Sequence, residues 1–198
     1  MDRPVQQQVL HLFALVAEAL ARATWALLNA DVTLGQGVVD DDRHIDDQVA
    51  AVEASLWKEI DTTAGDVHRL RQIVGMLLVL PELERSADLA EHIAQRATFS
   101  LGGEMTPVSR GIVQRMSEVA IQMWRSVADA YSRGGAQVLE LHETDEELDI
   151  LHDRLTAEVS RGGMQPSAAA QVTLIARFYE RLGDHAVNLS RRVATLQA

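Results

Sequence analysis

The chain has 198 residues, enough for one large domain or two small ones with a sizeable core. Its 29 acidic against 18 basic residues give a net charge of −11 without any dense basic run, which argues against a phosphate-backbone binder and for cations or basic partners. Cysteine is absent, so disulfides, zinc–thiolate sites and iron–sulfur clusters are excluded, and any metal must be held by oxygen or imidazole. Apolar residues then recur with helical period in six segments. The first carries Val9, Leu12, Phe13, Val16, Leu20 and Leu27, and Thr33–Gly37 (TLGQG) predicts the turn that ends it. The second carries Val38, Ile45, Val49, Val52, Leu56 and Ile60, up to a turn at Thr62–Gly65. The third carries Leu70, Ile73, Val74 and Leu77, then Leu89 and Ile93 beyond Pro81, which is expected to kink or restart it. After Leu101–Pro107 the fourth carries Ile112, Met116, Val119, Met123 and Val127, up to Ser132–Gly135. The fifth carries Leu141, Leu148, Leu151, Leu155 and Val159, and the sixth, beyond Arg161–Pro166, carries Val172, Ile175, Tyr179, Leu182, Leu189 and Val193. No segment alternates with period two, so no strands are expected.

The central Gly-Gly and Pro107 divide six helices into three plus three. The expected fold is all-α: two tandem, pseudo-symmetric three-helix bundles over residues 1–100 and 105–198. A repeated motif agrees with this division. Glu84, Arg85 and Asp88 in LERSADLAEHIAQRA recur as Glu180, Arg181 and Asp184 in YERLGDHAVNLSRRV, at a constant offset of 96 (180 − 84). A second acidic pair, Asp42 and Asp46, recurs as Asp145 and Asp149 at an offset of 103 (145 − 42). Each pair spans one helical turn, where like charges repel unless something positive lies between them. Asp42 falls in the apolar stripe Val38, Ile45, Val49, Val52, and Asp145 in the stripe Leu141, Leu148, Leu155.

These four pairs suggest one acidic metal site per half, between its second and third helices. Oxygen-rich clusters suit Mg, Mn or Fe, and Zn also remains open. Two plainer readings compete. Asp42 and Asp46 lie near the expected start of their helix, where the macrodipole favours acids. Arg85 and Arg181 could also neutralise the motif acids as ordinary ion pairs. His92, His152 and His185 lie close enough in sequence to join a site, but core-edge or surface roles suit them as well. Trp25, Trp57 and Trp124 are expected as core or interface anchors. No strand precedes the Gly-Gly pairs and no Lys-Ser/Thr follows, so they are not phosphate loops. No nucleophile motif is present, and an enzyme is not expected. The N-terminus lacks a positive segment followed by a short apolar run, and uninterrupted apolar runs such as Met76–Leu80 are far too short to cross a bilayer, so a cytoplasmic location is expected.

With these residues in place, the chain resembles the PhoU family of bacterial phosphate-transport regulators. ERLGDHAVNLSRRV is close to that family's motif, and Leu70-Arg71 matches the Leu-Arg preceding the first copy. The likeness implies multinuclear metal clusters on Glu84, Asp88, Asp42 and Asp46, and on Glu180, Asp184, Asp145 and Asp149. It also implies a homodimer that contacts the ATPase subunit of a phosphate importer and a sensor histidine kinase at the inner membrane face. Its expected role is to repress phosphate-starvation signalling. The first copy departs from the pattern at Pro81, Ala87 and Leu89, so the second is expected to hold metal more reliably. Two other classes stay in view. One is a di-iron or di-manganese carboxylate oxidoreductase, although no Glu-x-x-His occurs and Asp149-x-x-His152 is the nearest approach. The other is a structural helical module whose acids only solvate its surface.

Overall fold

The computed structural model describes residues 3–63, 65–133 and 141–195. Six long helices make up nearly all of it: α1 Arg3–Asn29, α2 Val32–Thr62, α3 Val67–Thr98, α4 Pro107–Ser132, α5 His142–Ser160 and α6 Pro166–Thr195. A single 3₁₀ turn, Leu101–Gly103, precedes α4, and among the described residues there is no strand. Helices α1, α2 and α3 pack on one another, as do α4, α5 and α6. The two sets meet along α1–α4 and α3–α6, and one continuous apolar core runs through both.

The helix starts follow from their caps. Asp31 and Asp66 accept from the backbone N–H three residues on, and Thr106 does so ahead of Pro107 at the first helical position. The first turn, however, is not at Thr33–Gly37. It lies at Ala30–Asp31, with Ala30 at φ 52°, and the glycines fall inside α2. Gly35 is there for packing: a Cβ on it would lie 3.0 Å from the Ala97 Cβ and 3.1 Å from the Ala94 carbonyl oxygen of α3. The turn expected at Ser132–Gly135 agrees with the end of α4 at Ser132, while residues 134–140 lie outside the described residues.

Pro81 lies inside α3 without restarting it. It has no N–H to give the Leu77 carbonyl four residues back, while the neighbouring carbonyl takes a bond from outside the helix. Arg192 of α6 donates from Nη1 to the Leu78 carbonyl oxygen at 2.6 Å. Helix α1 is long and apolar enough to cross a membrane, with mean hydropathy 1.4 over an 18-residue window within Pro4–Asn29. Its apolar stripe, Val9, Leu12, Val16, Leu20, Ala23 and Leu27, is fully buried against the other helices, which accounts for the composition. Of the three tryptophans only Trp124 is in the core; Trp25 and Trp57 are 53% and 55% exposed and do not anchor it.

Candidate metal centre

The acids of the first half converge. Asp42 and Asp46 on α2 and Asp88 on α3 each offer an oxygen, and the three lie within 4.8 Å of one another. Asp42 and Asp88 are half-buried and Asp46 is exposed. Glu84 stands one turn before Asp88, and its carboxyl is raised by partial burial and then by Asp46 and Asp88. Burial likewise raises Asp88, with Asp46 adding to the effect. Asp42 is moved furthest, to about 7, first by desolvation and then by Asp46, Glu91, Asp88 and Glu84. A cleft of about 220 Å³ beside Asp42 is bounded by Glu18, Asp41, His44, Ala87 and Glu91. Glu91 was not singled out by spacing. It lies one turn beyond Ala87 on α3 and adds a fifth carboxylate to this field.

The macrodipole does not explain the first pair. Because α2 starts at Val32, Asp42 and Asp46 lie well inside the helix, beyond the first turn where that field acts. It does bear on the second pair, since Asp145 is in the first turn of α5. Arg85 acts to lower the Glu84 and Asp88 carboxyls through space but pairs with neither. Among the described residues, no Arg or Lys forms an ion pair with Asp42, Asp46, Glu84 or Asp88.

The second half has the same layout with different contacts. Asp145 is half-buried, and its carboxyl is raised by desolvation and then by Asp149, Asp184 and Glu180. Gly183 makes room for it: a Cβ there would lie 2.7 Å from the Asp145 Oδ1 and 2.8 Å from the Leu148 Cδ1. Its counterpart in the first half, at the motif offset of 96, is Ala87. Glu180, unlike Glu84, is ion-paired: Arg177, three residues earlier on α6, donates to its Oε2. Among the described residues, the acids of this half do not bring three ligand oxygens together as those of the first half do.

None of the three candidate histidines joins the gathered oxygens. His185 turns into the α3–α6 seam, with Nδ1 2.8 Å from the Ser86 hydroxyl and Nε2 3.9 Å from Glu82. His92 lies near Phe178, with ring centroids 5.5 Å apart, and at the rim of the site, its Nε2 3.8 Å from Glu91 and its charge lowering Asp88; His152 leans on Asp153. The centre is therefore an all-oxygen donor set, whose chemistry suits hard cations. A carboxylate-bridged oxidoreductase would gather its ligands from four helices into one bundle core; these acids are divided between the α2–α3 and α5–α6 pairs, so that alternative has no support.

Comparison with known proteins agrees with the fold and the repeat. The family model described as PhoU domain matches residues 9–97 and 113–193. The phosphate-specific transport system accessory protein PhoU homolog 2 of Mycobacterium tuberculosis is 34% identical over 179 residues, covering 88% of this chain and 84% of that protein. PhoU homolog 1 of Mycobacterium leprae is 30% identical over 195 residues, covering 96% of this chain and 87% of that protein. The crystal structure of PhoU from Pseudomonas aeruginosa superposes with a TM-score of 0.89 at 24% identity, covering 98% of this chain and 95% of that one. A doubled three-helix pattern matched across both halves, with relatives of this similarity along most of their length, places the chain in the PhoU family.

Proposed function

We propose that this protein is a non-enzymatic, metal-binding accessory of a phosphate transport system, which represses phosphate-starvation signalling when phosphate is plentiful. The observation that carries the metal part is the approach of Asp42, Asp46 and Asp88 to within 4.8 Å with no arginine ion-paired to them among the described residues. Such a cluster is destabilised by mutual repulsion unless protons or cations occupy it, and the carboxyls are raised by burial first and by that repulsion second. Asp42, Asp46, Glu84 and Asp88 would hold a cation in the first half, and Asp145, Asp149, Glu180 and Asp184 in the second. Iron, manganese, magnesium and zinc all accept oxygen donors. The bound ion would supply positive charge that ties α2 to α3 and α5 to α6.

The transport part is supported by the names of the relatives, which are accessory proteins of phosphate-specific transport systems. By the same resemblance its partners are the importer's ATPase subunit and a sensor histidine kinase. The protein would act as a cytoplasmic homodimer that reaches the inner membrane face through those partners. The division at residues 1–100 and 105–198 is proposed as two copies of one ancestral unit, each with its own site.

Two experiments test this. Elemental analysis of the purified chain should find metal that is lost in proportion when Glu180→Gln and Asp184→Asn, or Asp46→Asn and Asp88→Asn, are introduced. Metal-free wild-type protein whose melting temperature does not rise with added Mn²⁺ would sink the metal reading, since a ligand that binds only the native state must stabilise it. Capture of importer and kinase from phosphate-replete cells, together with derepression of phosphate-regulated genes on deletion, tests the signalling role. A deletion with no such derepression would end it.

A further inference from the structure

The two halves carry the same acids in the same register but differ three residues before the motif glutamate. That position is Pro81 in α3 and Arg177 in α6, at the motif offset of 96 (177 − 81). Arg177 is paired with Glu180, whereas Pro81 offers no charge and Glu84 has no ion-pair partner among the described residues. A second difference runs the same way. Asp145 has the N-terminal field of α5 behind it, while Asp42 sits deep in α2 without that help. A third is geometric: the oxygens gathered to within 4.8 Å belong to Asp42, Asp46 and Asp88.

We propose that Arg177 is a built-in counter-cation of the second acidic cluster, so that the two halves take up divalent cations unequally. In the first half Arg85 and His92 act on Glu84 and Asp88 only through space, with no arginine ion-paired to a ligand carboxylate among the described residues, and that half fills at low cation concentration. The second is already partly neutralised, and a metal must displace the guanidinium from Glu180 before that carboxylate can serve as a ligand. The displaced arginine then remains near a doubly charged ion and opposes it. One chain would thereby respond to cations over two concentration ranges, with α5–α6 as the later, adjustable pair. This ranking is the reverse of the one suggested by the better-kept motif around Gly183 and His185. It rests on the metal-binding reading above.

The test uses the full chain, stripped with chelator and titrated with Mn²⁺ by calorimetry and by the spin resonance of the free ion. Wild-type protein should show a tight and a weak class of site, the tight one lost in the Asp46→Asn, Asp88→Asn variant. Arg177→Gln should tighten the weak class about threefold to tenfold, the scale of one exposed charge–charge interaction, and leave the tight class unchanged. Arg177→Lys keeps the charge and should stay near wild type, which a merely structural role for the arginine would not predict. Pro81→Arg should weaken the tight class by a similar factor, and Pro81→Gln should not. Equal affinities in the two halves, or an Arg177→Gln titration that matches wild type, would overturn the inference and leave the metal reading standing. Absence of Mn²⁺ binding in wild type would overturn both.

Discussion

Asp42 is half-buried, with Asp46, Asp88, Glu84 and Glu91 acting on it, and its carboxyl is pushed up to about 7 from 3.8. Between those two values the folded chain holds a proton that the unfolded chain has released. Rising pH through that window therefore favours unfolding, and the contribution of this group to stability is lost as the carboxyl ionises. His185 runs the other way. Burial lowers it below 6.5, so its contribution grows as pH rises through the window beneath that value. The informative quantity is thus the difference between wild type and Asp42→Asn. In chelator, the variant should gain melting temperature relative to wild type on going from pH 5 to pH 8, and saturating Mn²⁺ should remove that gain. A difference that does not change with pH would show that Asp42 ionises freely. At the same scale, Gly102 and Gly103 make a controlled pair. A Cβ on Gly102 would lie 1.8 Å from the Leu27 carbonyl oxygen, a backbone atom that cannot swing aside, whereas one on Gly103 meets nothing within 4 Å. Urea denaturation should show Gly102→Ala losing about 2 kcal/mol or more, and Gly103→Ala changing by about 0.5 kcal/mol or less.

At the scale of elements, the α3–α6 seam shows how a repeat diverges while keeping its geometry. Arg192 of α6 reaches across to Glu82 of α3, with Nη2 3.2 Å from Oε1. Its counterpart Arg96 reaches from α3 to α6, but position 178 holds Phe178 in place of a glutamate, and the guanidinium lies 5.1 Å from that ring's centroid. Gln171 completes the arrangement by accepting from Arg96 Nε at 3.1 Å. An ion pair on one side thus answers a cation–π contact on the other. Glu82 is only 6% exposed, so removing its cation leaves a charge with little water to solvate it. A double-mutant cycle of Glu82→Gln and Arg192→Gln should give a coupling of about 1–2 kcal/mol, held to that range because Arg192 is itself about a third exposed. A coupling near zero would mean that His185 suffices for the Glu82 carboxylate. This seam was not legible in the sequence. Period and caps identify six helices because burial enforces the 3.6-residue repeat, and the offset of 96 aligns the motifs. Yet Gly35 serves a close helix approach rather than a turn, and His185 follows a motif aspartate while facing the other half. Which way a side chain turns depends on its neighbours across the seam, and linear spacing carries no record of them. The register did hold one unused clue, since it sets Pro81 against Arg177.

At the scale of the molecule, the question is whether two repeats mean two folding units. Tyr179 of α6 is fully buried, and its hydroxyl is 2.6 Å from the Thr24 Oγ1 of α1, to which Ser117 of α4 also donates at 2.9 Å. Phe13 of α1 packs between Trp124 and Tyr131 of α4, at centroid distances of 6.0 and 5.7 Å. The Tyr131 hydroxyl reaches the Met76 Sδ of α3 at 3.6 Å. The largest buried side chains are therefore shared between halves, and separating the halves would expose Phe13, Trp124, Tyr131 and Tyr179 together. At about 1.5–3 kcal/mol for each large side chain, that loss is comparable with the whole stability of a domain this size. The stranded Thr24–Tyr179–Ser117 hydroxyls would add to it. The repeat is thus the unit in which the acidic motifs recur, while the unit of folding is the pair. Heating the metal-free chain should give one transition, coincident by far-ultraviolet circular dichroism and tryptophan fluorescence. Fragments 1–104 and 105–198 made separately should lack a cooperative transition and regain one when mixed. A fragment that melts cooperatively on its own, or two resolved transitions in the intact chain, would show that each three-helix set closes its own core.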